Sequence, residues 1–264
     1  MDENGRTGLK IASRLGYAAR GVVYLLVGGL AVLVALGQGG RTTDTKGALR
    51  TLLDTPWGDA LLGVIAVGLL GYAVWRFVQA VWDVDRNGTD AKGLAVRAGL
   101  LVSSVTHVGL AVFAIGLIRG GGGGGGGGKA QWTAWLMRQP WGQWLVALVG
   151  LVVIGVGIAQ AAKAHKEKYK RYLRIDYDVM RWAEPVCKFG LYARGVVFVI
   201  IGGFFLVAAW QADPSEAGGL AQAMAFLRGQ AYGRILFGIV ALGLFAFGVY
   251  SLIQAKYRRI RLPE

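Results

Sequence analysis

Internal repetition constrains the fold of this chain more than any other sequence feature. Residues 16–24, Gly-Tyr-Ala-Ala-Arg-Gly-Val-Val-Tyr, return as residues 190–198, Gly-Leu-Tyr-Ala-Arg-Gly-Val-Val-Phe. A degraded middle copy runs from Gly99 through Ser103 to His107. Each copy is followed by a second marker: Pro56-Trp57-Gly58, Pro140-Trp141-Gly142 and Ala231-Tyr232-Gly233. Repetition of this kind predicts one supersecondary unit built three times.

Each unit contains two long apolar stretches. Hydrophobic residues make up 55% of the 264 residues and charged residues only 17%. The stretches without charge are 21–40, 60–75, 98–118, 139–162, 195–212 and 235–255. A helix needs about 20 mostly apolar residues to cross the hydrocarbon core, and the shortest stretch is flanked by Asp59 and Arg76, whose side chains can reach the interfaces. We therefore predict an all-α integral membrane protein with six transmembrane helices.

The repeat also predicts how the helices are organised. A single membrane domain, 1–264, would contain the repeat units 13–84, 91–170 and 183–258. Because each unit has two spans, all units enter the membrane in the same sense, which predicts parallel repeats with a pseudo-threefold arrangement about the membrane normal. The outer connections contain short amphipathic pieces suited to the headgroup layer, at 46–53, 131–137 and 219–227. The glycine run 120–128 predicts a flexible outer loop.

The basic residues are unevenly distributed between the two ends of the predicted helices. Of the 29 lysines and arginines, 21 fall in the two termini, the second-to-third connection and the fourth-to-fifth connection. Since basic segments remain cytoplasmic, both termini are predicted to face the cytoplasm. The net charge of +14 then reflects topology and attraction to anionic lipids at that face. The basic segment 163–174, which we expect to extend the fourth helix, lies in no nucleic-acid-binding motif, so we expect no nucleic-acid partner.

The repeated Ala-Arg-Gly-Val-Val motif resembles a bacterial membrane-protein family known as domain of unknown function 1206. The resemblance covers nearly the whole chain, and it implies threefold repetition of a two-span unit. The middle unit departs from the pattern, with Ser103 where Arg20 and Arg194 stand. Together with the charge distribution, the resemblance implies a multi-pass protein of the bacterial cytoplasmic (inner) membrane. It implies no activity, so no functional residues can be transferred.

Four residues are candidates for binding a ligand or a lipid. Arg20 and Arg194 are equivalent in the repeat and lie at the basic ends of their spans. They either anchor to lipid or helix carbonyls, or form a site for a carboxylate or phosphate. His107 stands in the aromatic slot of Tyr24 and Phe198, near Ser103. It either fills that slot as a hydrogen-bonded residue, or acts as a proton relay, ligand or haem ligand.

Other residue types give weaker indications of chemistry. The aromatic residues predicted as interfacial anchors are Trp57, Trp141, Trp75 and Tyr250. Two histidines and one cysteine form no metal-ligand spacing, so we expect no metal site and no cofactor. The single candidate nucleophile–base pair, Ser104 and His107, lies in no nucleophile elbow, and we expect no catalytic residues.

Three functions remain open at this point. The leading expectation is a non-enzymatic accessory or structural component of a membrane assembly, with a membrane protein or another copy of the chain as its partner. Spans that are rich in glycine and contain no deep carboxylate favour this role. The alternative is a carrier or permeation path for a small or anionic solute along the pseudo-threefold axis. A membrane enzyme or a haem or pigment binder centred on His107 is the third hypothesis.

Overall fold

The structure, a computed structural model, describes residues 3–38, 44–120 and 128–262, and it is helical throughout these ranges apart from short connections. The α-helices in these ranges are α1 (Glu3–Ala35), α2 (Thr45–Arg50), α3 (Gly58–Val81), α4 (Ala91–Ile118), α5 (Gly128–Met137), α6 (Gly142–His165), α7 (Tyr177–Gln211), α8 (Leu220–Arg228) and α9 (Gly233–Tyr257). Of these, α1, α3, α4, α6, α7 and α9 are long and apolar enough to cross a membrane. The predicted all-α fold with six spans is confirmed. The loop predicted at 120–128 lies, for residues 121–127, outside the described residues.

The first helix of unit one and the first helix of unit three are both longer than the hydrocarbon core of a bilayer requires. Helix α1 has 33 residues and α7 has 35, which gives about 50 Å at 1.5 Å per residue against a core of about 30 Å. Their N-terminal turns therefore project beyond the apolar layer. The predicted extension of the fourth helix through 163–174 is wrong, because α6 ends at His165 and Glu167 takes a positive φ of 51°.

Short helices occur in all three outer connections, as the amphipathic pieces predicted. Asp44 caps α2 by accepting a hydrogen bond from the Gly47 backbone nitrogen at 2.9 Å. Leu49 of α2 and Met224 of α8 are buried against the long helices. Packing of their apolar faces thus holds these helices on the bundle, and their placement in a headgroup layer remains a prediction.

The long helices pack in the order α4, α3, α1, α9, α7, α6. Helices of the same unit pack together in units one and three, as α1 on α3 and α7 on α9. Within the described residues, α4 and α6 of the middle unit have no comparable packing. The bundle is therefore an arc that is open between its two ends, and the opening lies within the middle repeat.

Contacts between units recur at equivalent positions of the repeat. Gly21 meets Gly248 where α1 crosses α9, and Gly195 meets Gly157 where α7 crosses α6. At the corresponding crossing of α4 on α3, Ser104 Oγ donates to the Ala73 carbonyl oxygen at 2.8 Å. Small residues allow membrane helices to approach this closely. Each unit thus uses the same crossing to pack on its neighbour, while the pseudo-threefold axis itself remains a prediction.

We expect Gly157→Val to destabilise the fold through the α6–α7 crossing. A Cβ at this position would lie 2.7 Å from the Gly195 carbonyl oxygen, and overpacking of this kind costs about 1–3 kcal/mol. Gly155→Val is the matched control on the same helix, since a Cβ there has no described atom within 4 Å. Thermal unfolding in detergent measures both variants, and equal losses would contradict this account of the crossing.

Candidate functional site

Arg20 of α1 is buried at the centre of the bundle, and each of its three guanidinium nitrogens donates a hydrogen bond. Its Nε donates to Ser251 Oγ at 3.1 Å, its Nη2 donates to Gln254 Oε1 at 2.6 Å, and its Nη1 donates to the Tyr72 hydroxyl. The guanidinium carbon also lies 4.9 Å from the centroid of the Tyr72 ring. These partners belong to α3 and α9, so one cation joins three helices. A buried charge requires such bonding, because its desolvation is otherwise uncompensated.

Arg194, the equivalent residue of unit three, is held differently. Its guanidinium carbon lies 4.6 Å from the ring centroids of both Phe198 and Phe247. Its Nε is buried and has no hydrogen-bond partner among the described residues. A buried donor without a partner is costly and indicates a missing acceptor.

The repeat explains the difference between the two arginines. Counting from Gly58, Gly142 and Gly233, the position of Tyr72 in unit three is Phe247, which lacks the hydroxyl. Similarly, the position of the acceptor Gln254 in unit two is Lys163, a second cation. Arg194 therefore has a phenylalanine and a lysine at two of the three positions where Arg20 has acceptors, the third being Gln160, and its buried Nε remains available to an anion.

A cavity of about 160 Å³, here called the polar cavity, lies beside both arginines and is lined by residues of all six long helices. Its described cationic lining residues are Arg20, Arg76, Lys163, Arg194 and Arg258, and its described carboxylate is Asp85. Arg76 donates to the Tyr72 hydroxyl, and its Nε is buried without a described partner. A single water needs about 10–15 Å³, so the cavity has room for a small anion. The lining is therefore strongly positive.

The carboxylate of Asp85 is already bonded to two other side chains of the protein. Arg258 Nη2 lies 3.0 Å from Asp85 Oδ2, and the Gln79 side-chain amide donates to the same oxygen. The side chains of Arg258 and Asp85 are 4% and 10% exposed, so this is a nearly buried ion pair. Since Asp85 is neutralised by Arg258, it leaves the remaining cations of the polar cavity uncompensated.

At one end of the polar cavity, the basic segment 163–174 and the segment that follows α9 are joined by backbone hydrogen bonds. The Arg174 backbone nitrogen donates to the Tyr257 carbonyl oxygen, and that of Arg259 donates to the Tyr172 carbonyl oxygen, both at 2.8 Å. These bonds place Tyr172 4.7 Å from the Arg258 guanidinium, from ring centroid to carbon. The basic segment 163–174 thus folds over the cavity instead of extending into solution.

An ion-pair cluster secures the same segment to α7. Glu167 and Glu184 each pair with Lys170 and Lys188. Hydrogen bonds from Lys170 and then from Lys188 lower the pKa of Glu167 to about 2. The Glu167 carboxylate is therefore ionised across the physiological range, and the segment remains attached to α7.

A second cavity of about 410 Å³, the apolar cavity, also reaches Arg20 and Arg194. Leu69, Leu110 and Val197 are among its apolar lining residues, and His107 lines it as well. His107 Nδ1 lies 2.7 Å from the Ser103 carbonyl oxygen, an acceptor, so this nitrogen carries the hydrogen. The Ser103 side chain lines neither cavity. Three of the four residues predicted from the sequence, Arg20, Arg194 and His107, therefore line the same cavity.

The predicted aromatic anchors fall into two groups. Trp57 and Trp141 are 76% and 79% exposed, as an anchor must be, and their role remains a prediction. Trp75 and Tyr250 cannot serve as interfacial anchors, because they are 0% and 2% exposed. Trp75 Nε1 instead donates to the Tyr17 hydroxyl at 3.2 Å inside the bundle. Both residues face the neighbouring helices. Hydropathy alone does not show which face of a helix contacts lipid and which contacts protein.

Comparison with known proteins identifies the family. The model of the family described as Domain of Unknown Function (DUF1206) matches the chain three times, at residues 15–83, 98–167 and 189–258. The chain belongs to this family. It is similar to the "Uncharacterized protein YxxB" of Bacillus subtilis (strain 168), with 34% identity over 259 residues, which cover 96% of this chain and 92% of that protein. No solved structure matches it.

The DUF1206 unit is therefore a pair of membrane-spanning helices, and this chain is a multi-pass membrane protein with three such units. Sequence reasoning missed Lys163, Arg76, Arg258 and Asp85 as site residues, since it counted the three cations only as topology signals and gave Asp85 no role. An alignment of the three units on Gly58, Gly142 and Gly233 would have shown that Lys163 is equivalent to Gln254. No comparable signal existed for Arg258, which reaches the cavity from beyond the end of α9.

We expect Arg20→Gln and Arg194→Gln to differ in stability although the positions are equivalent in the DUF1206 repeat. Arg20→Gln removes three hydrogen bonds to a charged group, each contributing about 1.5–3 kcal/mol, so the free energy of unfolding should fall by about 3 kcal/mol or more. Arg194→Gln should change it by about 1 kcal/mol or less, because little protein bonding is lost. Chemical unfolding followed by circular dichroism compares them, and losses of the same size would refute the distinction.

Proposed function

We propose that this protein is a carrier or permeation path for a small anion bearing a phosphate or carboxylate group. The observation that carries the proposal is the charge imbalance of the polar cavity: among the described residues that line it, four cationic side chains remain after Arg258 pairs with the carboxylate of Asp85. We assign the bound anion to the neighbourhood of Arg194 and Lys163, the two lining cations on α7 and α6.

Electrostatics supports an anion as the missing partner. Removing a cation from water costs several kcal/mol after relaxation, and a nearby charge of opposite sign offsets this cost. Guanidinium groups offer a planar set of donors that matches carboxylate and phosphate oxygens. The buried Nε atoms of Arg76, Arg194 and Arg258 have no described acceptor. An anion in the polar cavity would supply both charge and acceptors.

The two cavities suggest a route. Arg20 and Arg194 line both the polar and the apolar cavity, so they form the boundary between them. Arg20 is fixed by three hydrogen bonds, whereas Arg194 is held by aromatic rings. We therefore assign the moving role to Arg194, which would carry an anion past the boundary while Arg20 supports the surrounding helices.

The orientation proposed for this route follows from the basic residues. Both termini would face the cytoplasm of a bacterium, with the polar cavity near that side of its inner membrane, beneath the basic segment 163–174. The same basic face would attract anionic lipids.

An accessory role in a membrane assembly remains the second candidate. The observation that favours it is the exposure of apolar side chains on α4 and α6, such as Val105 and Ile158, which are 72% and 60% exposed. A partner helix on these faces would make the opening an interface. Co-purification of a stoichiometric partner protein in mild detergent would support this candidate over transport.

Anion binding is tested with purified protein and inorganic phosphate as the probe. We expect phosphate to raise the thermal unfolding temperature and radiolabelled phosphate to enter proteoliposomes. Arg194→Gln should weaken binding about tenfold or more, since losing a charged hydrogen-bond donor costs about 1.5–3 kcal/mol. Lys163→Gln should act in the same direction.

Arg181→Gln is the matched control for this experiment. Arg181 lies on the same helix as Arg194 but is exposed and lines neither cavity. It should leave phosphate binding unchanged. The proposal fails if phosphate has no effect on the wild-type protein, or if the Arg181 variant loses as much affinity as the Arg194 variant.

A further inference from the structure

We propose that the anion is the headgroup of a membrane lipid, a phosphate monoester, which enters sideways through the opening between α4 and α6. This inference rests on the proposed anion site and specifies its ligand. The opening, here called the slot, is the space bordered by α4 on one side and α6 on the other, and it leads to the polar cavity. The lipid phosphate would bind beside Arg194 and Lys163 while its acyl chains remain in the slot.

The slot exists because the middle repeat lacks a contact that the other two repeats make. Within unit one, a Cβ at Gly68 would collide with Ala19, and within unit three a Cβ at Gly243 would collide with Ala193. The equivalent pair in unit two is Val152 and Val102, which are 57% and 67% exposed. The tight small-residue crossing is therefore replaced by two valines that stand apart.

A second pair of positions shows the same separation. Gly16 lies directly against Tyr72 in unit one, and Gly190 lies against Phe247 in unit three. Their equivalent in unit two, Gly99 of α4, has no described atom within 4 Å of the position a Cβ would take. The opening thus extends over about one helical turn of α4.

The chemistry along the slot matches a lipid phosphate. The polar cavity receives Val96 and Leu100 from α4, and Gln160 and Lys163 from α6. Apolar side chains at the border thus lead directly to cations at the centre. A soluble anion would have to cross this apolar entrance, whereas a lipid can keep its acyl chains in apolar surroundings while its headgroup reaches the cations. Charge complementarity with the cations that remain after Arg258 pairs with Asp85 selects the anionic headgroup over a zwitterionic one.

The slot also gives the proposed route a physical form. A headgroup can move along the polar interior from the polar cavity toward Arg20, Arg194 and the apolar cavity. Its chains need not leave the bilayer, because the opening between α4 and α6 is not closed by described helix packing. The structure therefore fits movement of a lipid headgroup across the bilayer while its acyl chains pass through the slot.

The test compares phosphatidic acid, phosphatidylcholine and inorganic phosphate on the full chain in nanodiscs and by native mass spectrometry. We expect wild-type protein to retain phosphatidic acid and not phosphatidylcholine. Val102→Trp combined with Val152→Trp should fill the slot and reduce retained phosphatidic acid at least about tenfold, while the thermal shift with inorganic phosphate persists. The matched control is Val64→Trp with Val74→Trp, at exposed positions of α3 away from the slot.

A second way of closing the slot, by crosslinking two cysteines across it, gives a test that does not depend on the tryptophan variants. Val102→Cys with Val152→Cys, on a Cys187→Ala background, can be bridged by a cleavable bifunctional thiol reagent. We expect bridging to block phosphatidic acid uptake and reduction of the bridge to restore it, with the Val102→Cys single variant unaffected by the reagent.

Three results would overturn the inference. Phosphatidylcholine retained as well as phosphatidic acid would remove the headgroup selection, and unchanged lipid uptake after bridging would remove the slot. A stable dimer with a second copy occupying the slot would identify a different occupant. Phosphate binding that persists without lipid selectivity would leave the anion site intact and make its ligand soluble, whereas loss of phosphate binding itself would refute the proposed function.

Discussion

The hydrogen bonds of Arg20 are the interaction on which the rest of the bundle depends. A guanidinium among apolar helices is tolerated only when its donors are satisfied, and here the acceptors come from Tyr72, Ser251 and Gln254 on two other helices. That requirement fixes the rotation of α1, α3 and α9 about their axes. It also sets the register at which Gly21 and Gly248 meet, so side-chain bonding and backbone packing specify the same arrangement.

Sequence differences between the repeats convert the arginine position of unit one into a candidate binding site in unit three. Phe247 and Lys163 occupy two of the three positions from which Arg20 receives an acceptor, so Arg194 keeps the position of its counterpart while its Nε has no described acceptor. In the middle repeat, Ser103 replaces the arginine and two valines replace a tight small-residue contact, which leaves α4 and α6 apart. In the proposed account, unit one contributes the bonded arginine, unit three contributes an arginine whose Nε has no described acceptor, and the middle unit contributes the opening.

Sequence reasoning predicted the fold because hydropathy and internal repetition are properties of short segments. The six spans and the short outer helices followed from such patterns, and so did the choice of Arg20, Arg194 and His107, which line one cavity. What it missed depends on which face of a helix meets protein: Trp75 and Tyr250 are buried, although aromatic residues near span ends are usually interfacial. The end of α6 and the arrival of Arg258 in the polar cavity depend on contacts between distant segments.

The most direct test of the account is the structure of the protein in nanodiscs that contain phosphatidic acid, determined by electron microscopy with a bound antibody fragment. The account predicts separated helices α4 and α6, and phosphate density between Arg194 and Lys163. It would be contradicted by a closed bundle in which Val102 packs against Val152 and Arg194 is bonded to acceptors of the protein.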